Sequence, residues 1–303
     1  MKLAILCPGQ GAQHVGMGKD FHDAFPSARR IFHTADEILG FAISRLCWEG
    51  PDDQLQATDN AQLGIYVTTA AIYEVCKELH RPAGPVQMIA GLSLGEYTAL
   101  YIAGAFSFAD GLKLVRARGR FMRDAAAAMP GAMLALLGAD DAVAEDICRE
   151  AAHCGTIVPA NFNAPGQIVL AGTLAACREA AKIAEVRKLR AVQLNVAGAF
   201  HSPLMDAAAA EMSKILAGVD IATPRLPVIS NVSARPHSDP AAIRDLLVRQ
   251  IIAPVCWRQS MEYLRAAAVD HFVELGPGRV LTGLLKKIDR RANIVNISSV
   301  DGL

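Results

Sequence analysis

The run VQMIAGLSLGEYTALYIAGA, at residues 86–105, has the pattern of a buried strand, a sharp turn and a helix. An apolar run typical of a buried strand ends at Gly91, and a helical run starts after Gly95. Between them Ser93 completes the pattern G-x-S-x-G, which in a strand-to-helix turn indicates a nucleophile elbow. The alternative is an ordinary serine in a βα turn. Because the elbow sets the hydroxyl beside the free N–H groups of a helix N-terminus, the stretch predicts an α/β fold with Ser93 as nucleophile.

Composition narrows the class of protein. The chain has 303 residues, 52% of them hydrophobic, with 30 Lys and Arg against 30 Asp and Glu. A zero net charge provides no basic footprint for a phosphate backbone, so we expect no nucleic-acid partner. No apolar run approaches the roughly 18 residues of a membrane helix, and the first apolar stretch is too short for a signal peptide. We therefore expect a cytoplasmic protein that does not enter a membrane.

Residues 130–197 carry a pattern of their own. Their apolar and helical runs follow the order βαββαβ, the ferredoxin-like arrangement. The α/β pattern of the first 129 residues resumes at residue 198 and continues to residue 303. We therefore predict an α/β-hydrolase-like larger domain with a parallel sheet, formed by residues 1–129 and 198–303, and an inserted ferredoxin-like small domain at 130–197.

Two kinds of site are absent from the patterns. The glycine-rich run PGQG at residues 8–11 lacks the further Gly, Lys and Ser or Thr positions of both nucleotide-binding fingerprints. The seven Cys form no C-x-x-C pair and no metal-ligand spacing, which indicates reduced thiols. We predict no metal and no cofactor.

His201 is the candidate base. It precedes Ser202 and Pro203, which resemble the N-cap and first residue of a helix. A position at the positive end of a helix favours the neutral imidazole that a general base requires. A packing role is equally compatible with His201 alone, whereas the other seven His have the surroundings of surface or packing residues.

The orienting acceptor for such a base can be a backbone carbonyl. In a helix the carbonyl of Gln250 would accept from the amide of residue 254, which is Pro254 and has no N–H. That carbonyl is therefore free, either for His201 or for water.

Arg118 differs from the arginines around it. Its neighbours three and four residues away are the apolar Leu114, Val115, Phe121 and Met122. A guanidinium on an apolar helix flank costs several kcal/mol unless an anion meets it. The anion is either an internal carboxylate or a substrate carboxylate, for which bidentate guanidinium geometry is well suited.

Seven motifs in order resemble those of the malonyl-CoA:acyl carrier protein transacylase family, over nearly the whole chain. They are PGQGAQ at 8–13, GLSLGEY at 91–97, RARGRFM at 116–122, NFNAPGQIVLAG at 161–172, GAFHS at 198–202, LVRQIIAPVCW at 247–257 and ELGPGRVLTGL at 274–284.

The resemblance implies a role for each matching residue. Ser93 would be acylated, His201 would be its base, and the carbonyl of Gln250 would hold the imidazole. The backbone N–H groups of Gln10 and Leu94 would form the oxyanion hole. Arg118 would bind the malonate carboxylate, with Met122 and Phe200 as further substrate-binding residues. The implied substrate is malonyl-CoA and the implied partner is an acyl carrier protein, for fatty acid or polyketide synthesis.

One position departs from the family pattern, since the family usually has His where this chain has Leu92. The departure favours a specialised transferase of a polyketide-type pathway. Two other functions remain open on the residues alone: an esterase or acyl-thioester hydrolase with water as acceptor, and a non-catalytic carrier-protein docking module.

Acyl carrier proteins are usually acidic, so a local basic patch is expected despite the neutral total charge. The candidates are Arg187, Lys188 and Arg190 in the small domain and Lys286, Lys287 and Arg290 near the end of the chain. Nothing in the sequence demands assembly, and we expect a monomer.

Overall fold

The computed structural model describes residues 2–82 and 84–303, which form nine strands and thirteen α-helices within those ranges. The strands are β1 (Leu3–Cys7), β2 (Val86–Gly91), β3 (Gly131–Leu137), β4 (Ile157–Ala164), β5 (Gln167–Thr173), β6 (Arg190–Gln193), β7 (Val228–Ile229), β8 (His271–Leu275) and β9 (Asn293–Ile297). The helices are α1 (Lys19–Ala24), α2 (Pro26–Leu39), α3 (Ile43–Glu49), α4 (Asp52–Gln56), α5 (Thr58–Glu78), α6 (Leu94–Ile102), α7 (Phe108–Ala128), α8 (Asp141–Ala151), α9 (Leu174–Val186), α10 (Asp206–Ala217), α11 (Pro240–Gln250), α12 (Trp257–Ala266) and α13 (Val280–Ile288).

The strands form two separate sheets. The larger sheet has the order β7-β2-β1-β8-β9, and every neighbouring pair in it is parallel. The smaller sheet is antiparallel with the order β4-β5-β3-β6, the strand order of a ferredoxin-like βαββαβ unit. The predicted fold class, a parallel α/β sheet with a small antiparallel sheet, is confirmed. The domain boundaries at 129/130 and 197/198 stay a prediction.

The centre of the larger sheet explains why two motifs meet. Every residue of β1 is buried, because helices cover both faces of a parallel sheet. In the register of β1 and β2, Cys7 lies opposite Gly91. The loop that follows β1 and the turn that follows β2 therefore leave the sheet side by side at its carboxyl edge, the usual place for a site in an open α/β sheet.

The structure differs from the predicted elements in the last third of the chain. The apolar run LPVISNV, at residues 226–232, has the pattern of one continuous strand, but only Val228 and Ile229 pair with β2. The chain then turns, with the Ser230 amide donating to the carbonyl of Arg235. The short edge strand β9 and helix α12 were not predicted. The two Asn residues of β9 leave it only a weak apolar run. Helix α12 does have an apolar face, formed by Trp257, Met261 and Leu264, and this periodicity was overlooked.

The small sheet is attached through its edge strand β4. The amide of Phe162 donates to the carbonyl of Val255, and the amide of Val255 donates to the carbonyl of Ala160. Arg258 adds a bidentate ion pair with Asp141, with N–O distances of 2.9 and 2.6 Å. These contacts hold the small sheet over the carboxyl edge of the large one.

Among the helices of residues 2–82 and 84–303, none combines the length and the apolar character that a membrane crossing requires.

Candidate active site

Ser93 lies in the sharp turn between β2 and α6, with φ of 53°. The two flanking glycines are there because the turn has no room for a side chain. A Cβ at Gly91 would lie 2.0 Å from the carbonyl carbon of Gly95, and a Cβ at Gly95 would lie 2.1 Å from the carbonyl oxygen of Cys7. The elbow thus packs backbone against backbone, and its serine is left at the entrance to α6.

Asn231 fastens the elbow from outside. Its side-chain oxygen accepts from the Ser93 amide at 2.6 Å, and its side-chain nitrogen donates to the Gly91 carbonyl at 2.6 Å. This role of Asn231 was not predicted from the sequence. The interruption of the run LPVISNV by a polar Asn was the only available signal.

His201 lies directly beside the serine. Its Nε2 is 2.8 Å from Ser93 Oγ, and its Nδ1 is 2.7 Å from the carbonyl oxygen of Gln250. Because a carbonyl can only accept, Nδ1 carries the hydrogen and Nε2 has its lone pair toward the serine hydroxyl. This is the tautomer that a general base requires.

The local chain explains the position of the imidazole. His201 has φ of 59°, and Ser202 caps the short helical turn after it by accepting from the Leu204 amide. On the other side, α11 ends at Gln250, and Pro254 provides no amide for its last carbonyl. The Gln250 carbonyl thus turns to the imidazole.

His201 is neutral at physiological pH. Burial, followed by the nearby positive charge of Arg118, lowers the pKa of this imidazole from its usual 6.5 to about 4. From the sequence, the neutral imidazole of His201 was expected from its position at a helix terminus. The structure shows that desolvation is the main cause.

Arg118 is 1% exposed and extends from α7 to the serine. One terminal nitrogen donates to Ser93 Oγ at 3.0 Å and to the side-chain oxygen of Gln250 at 3.0 Å. The other donates to Gln62 at 2.6 Å, and Nε has no partner among the described residues. The ring of Tyr97 lies 5.4 Å from the guanidinium carbon.

These partners decide between the two anions predicted for Arg118. In the described part of the chain, no carboxylate oxygen lies within ion-pair distance of its guanidinium. An arginine buried among neutral acceptors still has its charge to neutralise. The arrangement is therefore suited to an anionic ligand rather than to a structural salt bridge.

A cavity of about 350 Å³ opens over these groups. Gln10, Leu92, Met122 and Phe200 are among the residues that line it. Leu94 does not line the cavity with its side chain, which is fully buried in the core. The backbone amides of Gln10 and Leu94 donate no hydrogen bond to any described residue. They remain available beside Ser93.

The predicted basic patches are largely exposed. In the small domain, Arg187 pairs with Glu150, while Lys188 and Arg190 face outward. On α13, Lys287 donates to Gln167 of the small sheet at 2.6 Å. Val280 and Leu284 of the same helix line the cavity, as does Gln167, so Lys287 lies near the cavity mouth.

Comparisons with known proteins agree with this site. Residues 5–300 match the family described as acyl transferase domain. A malonyl CoA-acyl carrier protein transacylase of Bacillus subtilis is 42% identical, over 98% of this chain and 93% of that protein. The polyketide biosynthesis protein ThaF of Burkholderia thailandensis is 44% identical over 94% of this chain and 24% of that protein.

Solved structures give the same result. An acyl-carrier-protein S-malonyltransferase of Burkholderia pseudomallei has a TM-score of 0.95 at 39% identity, covering 100% of this chain and 98% of that one. A malonyl-transacylase solved with its type II polyketide acyl carrier protein has a TM-score of 0.95 at 34% identity, covering 100% of this chain and 97% of that one. The chain belongs to the malonyl CoA-acyl carrier protein transacylase family of acyl transferases.

Proposed function

We propose that this protein transfers a malonyl group from malonyl-CoA to the phosphopantetheine thiol of an acyl carrier protein, through a malonyl ester on Ser93. The observation that carries the proposal is the contact of three groups around one oxygen atom. Ser93 Oγ lies 2.8 Å from the Nε2 of His201 and 3.0 Å from the guanidinium of Arg118. A nucleophile, its base and an anion-binding group thus share one cavity.

The first half-reaction follows from the hydrogen bonds. Nε2 of His201 takes the proton as Ser93 Oγ attacks the thioester carbon, and the Gln250 carbonyl stabilises the imidazolium through Nδ1–H. The tetrahedral intermediate then collapses. The carbon–sulfur bond breaks, and the imidazolium returns the proton to the departing CoA sulfur.

The oxyanion of the intermediate is assigned to the backbone amides of Gln10 and Leu94. Leu94 begins α6, so its N–H adds the positive end of a helix. Gln10 belongs to the loop after β1. This loop can approach the elbow closely because Gly9 has no side chain: a Cβ there would lie 2.2 Å from the carbonyl oxygen of Leu92. Each such donor contributes about 3 kcal/mol to a transition state of this kind.

Arg118 selects the acyl group. A malonyl carboxylate can bind the guanidinium in bidentate fashion, whereas an acetyl group leaves the buried cation unpaired. Met122 and Phe200 limit the space beside it. In the second half-reaction the carrier-protein thiol gives its proton to His201 and attacks the malonyl ester. Serine leaves with the proton from the imidazolium.

The name of the relative solved with a carrier protein supports an acyl carrier protein as the partner, as do the relatives named transacylase. Leu92, the position that departs from the family pattern, lines the cavity next to the nucleophile. The likeness to ThaF supports a polyketide pathway as well as fatty acid synthesis. The basic patch on α13 near the cavity mouth is assigned to the carrier protein, and the protein is assigned as a monomer.

A transfer assay tests the function. Purified protein is mixed with malonyl-CoA, with and without a holo acyl carrier protein, and malonyl carrier protein and free malonate are measured by mass spectrometry. We expect malonyl carrier protein as the main product. Rapid release of malonate with no malonylated carrier protein would instead identify a hydrolase, and no reaction with any donor would identify a docking module.

A further inference from the structure

Glu96 is a fully buried carboxylate beneath the elbow that the mechanism above does not use. One oxygen accepts from the Asn231 amide at 3.1 Å and from the Gln250 side-chain nitrogen at 2.6 Å. The other is 2.8 Å from the Nε2 of His237. It is also the only charged residue in the run EYTALYIAGA, at residues 96–105.

The surroundings of Glu96 suit a carboxylate, because all three of its contacts are with nitrogen atoms that can donate to it. Three donors satisfy a carboxylate, which can only accept when ionised. His237 does not neutralise it, because the Nδ1 of that ring is buried and has no partner within the described residues. A protonated ring would bury an unpaired N–H there, so the neutral form with hydrogen on Nε2 fits the site.

Gln250 connects this anion to Arg118. Its side-chain nitrogen donates to Glu96, and its side-chain oxygen accepts from the guanidinium at 3.0 Å. A carboxylate on one side leaves the amide a single satisfied orientation, with the nitrogen toward Glu96 and the oxygen toward Arg118. The buried cation and the buried anion are thus joined through one neutral amide and do not touch.

We infer that Glu96 is a positioning residue for malonyl binding, as the counter-charge that holds Arg118 through Gln250 while leaving the guanidinium open to the substrate carboxylate. A carboxylate in direct contact with Arg118 would compete with the substrate. With no counter-charge, the free enzyme would bury an uncompensated cation. The inference rests on the proposed function, since it assigns Arg118 to malonyl.

Glu96→Gln tests the charge with little change of shape. Its amide oxygen can accept from Asn231 and Gln250, and its nitrogen can donate to His237 once that ring moves its hydrogen to Nδ1. Because Nδ1 has no partner within the described residues, this shift itself costs stability, so the malonate response, and not the Tm of the free variant, is the test of the charge. The matched control is Glu274→Gln. Glu274 is equally buried and accepts three hydrogen bonds at the start of α13, with no guanidinium among those partners.

Thermal unfolding with and without malonate is the measurement, with malonamide as the neutral probe. We expect Glu96→Gln to lower the Tm of the free protein by several degrees. Malonate should raise the Tm of this variant more than it raises that of the wild type or of Glu274→Gln, and malonamide should not. An anion would not selectively restore a packing defect. Equal malonate effects in the three proteins would overturn the inference.

A second variant keeps the test decisive if Glu96→Gln does not fold. Glu96→Gln combined with Gln250→Glu keeps the net charge and moves the carboxylate onto Arg118 directly. We expect the ratio of malonyl to acetyl acylation to fall at least about tenfold, because the substrate carboxylate must now displace an internal one. An unchanged ratio would contradict the counter-charge role.

The wild type separates this inference from the proposed function. If the wild type is not acylated by malonyl-CoA, the proposed function fails, and the inference fails with it. If the wild type is acylated but malonate has no selective effect on the Glu96 variant, only the inference fails.

Discussion

Arg118 is the residue on which the selection of malonyl over acetyl groups depends. Replacing it with Ala removes the guanidinium that would bind a malonyl carboxylate, and within residues 2–82 and 84–303 it breaks no direct ion pair. We expect malonyl acylation to fall by about 100-fold while acetyl acylation rises, since a charge-assisted bidentate contact is worth roughly 1.5–3 kcal/mol. Acylation rates from a panel of CoA esters measure this. Undiminished malonyl acylation would disprove the carboxylate contact.

His201 sets the expected pH dependence. The imidazole must be neutral to accept the serine proton, and its pKa in the free enzyme is lowered to about 4 by burial and by Arg118. The rate constant kcat/KM for malonyl-CoA should therefore stay flat from pH 8 down to about pH 5 and fall as the pH passes through about 4. Measurement over that range, with stability monitored at each pH, checks this. A midpoint near the ordinary histidine value would contradict the burial argument.

The site residues that could be predicted from the sequence are those whose near neighbours in the chain form a recognisable pattern. Ser93 stands in a turn pattern, Arg118 has apolar helix neighbours, and Pro254 frees a carbonyl four residues before it. Asn231 and Glu96 have only weak local signals, a polar residue that interrupts the run LPVISNV and a single charge in the run EYTALYIAGA. Their partners lie more than 130 residues away in the chain, and only the parallel sheet brings them together.

The elbow is the element on which the site depends, and its glycines test it. Gly95→Ala would place a Cβ 2.1 Å from the carbonyl oxygen of Cys7, an atom of the central strand that cannot move freely. We expect a destabilisation of about 3 kcal/mol, at the upper end for overpacking, with loss of acylation. Thermal unfolding and acylation are measured together.

Gly283→Ala is the matched control for the elbow. Gly283 is an exposed position in helix α13, and a Cβ there meets no atom within 4 Å. Alanine should stabilise this helix by roughly 0.5–1 kcal/mol because it is the better helix former. If both variants behaved alike, the close approach of α6 to β1 could not be the reason for Gly95.

Most elements with a regular apolar pattern could be predicted from the sequence. The apolar runs LAILC at residues 3–7 and HFVEL at residues 271–275 form β1 and β8, and the segment with the βαββαβ order forms the small sheet. The run LPVISNV has the same apolar look, but its last residues leave the sheet so that Asn231 can bind the elbow. Tertiary hydrogen bonds decided that length, which local pattern cannot report.

The cavity lies between the small sheet and the loops that follow β1 and β2, and the carrier protein has to approach its mouth. Charge reversal of Lys286, Lys287 and Arg290 should raise the KM for an acidic carrier protein by about tenfold at low salt, because such charges steer the encounter. Self-acylation by malonyl-CoA should not change. Lys214→Glu, on α10 away from the cavity-lining residues, is the control. An equal loss of self-acylation would show damage to the fold rather than to docking.

The single most direct test is the mass of the intact protein after mixing with malonyl-CoA, followed by mapping of the modified peptide. We expect one malonyl group per chain, on the peptide that contains Ser93, and none on Ser93→Ala. A malonyl group elsewhere in the chain, or one that persists in Ser93→Ala, would show that Ser93 is not the acylated nucleophile.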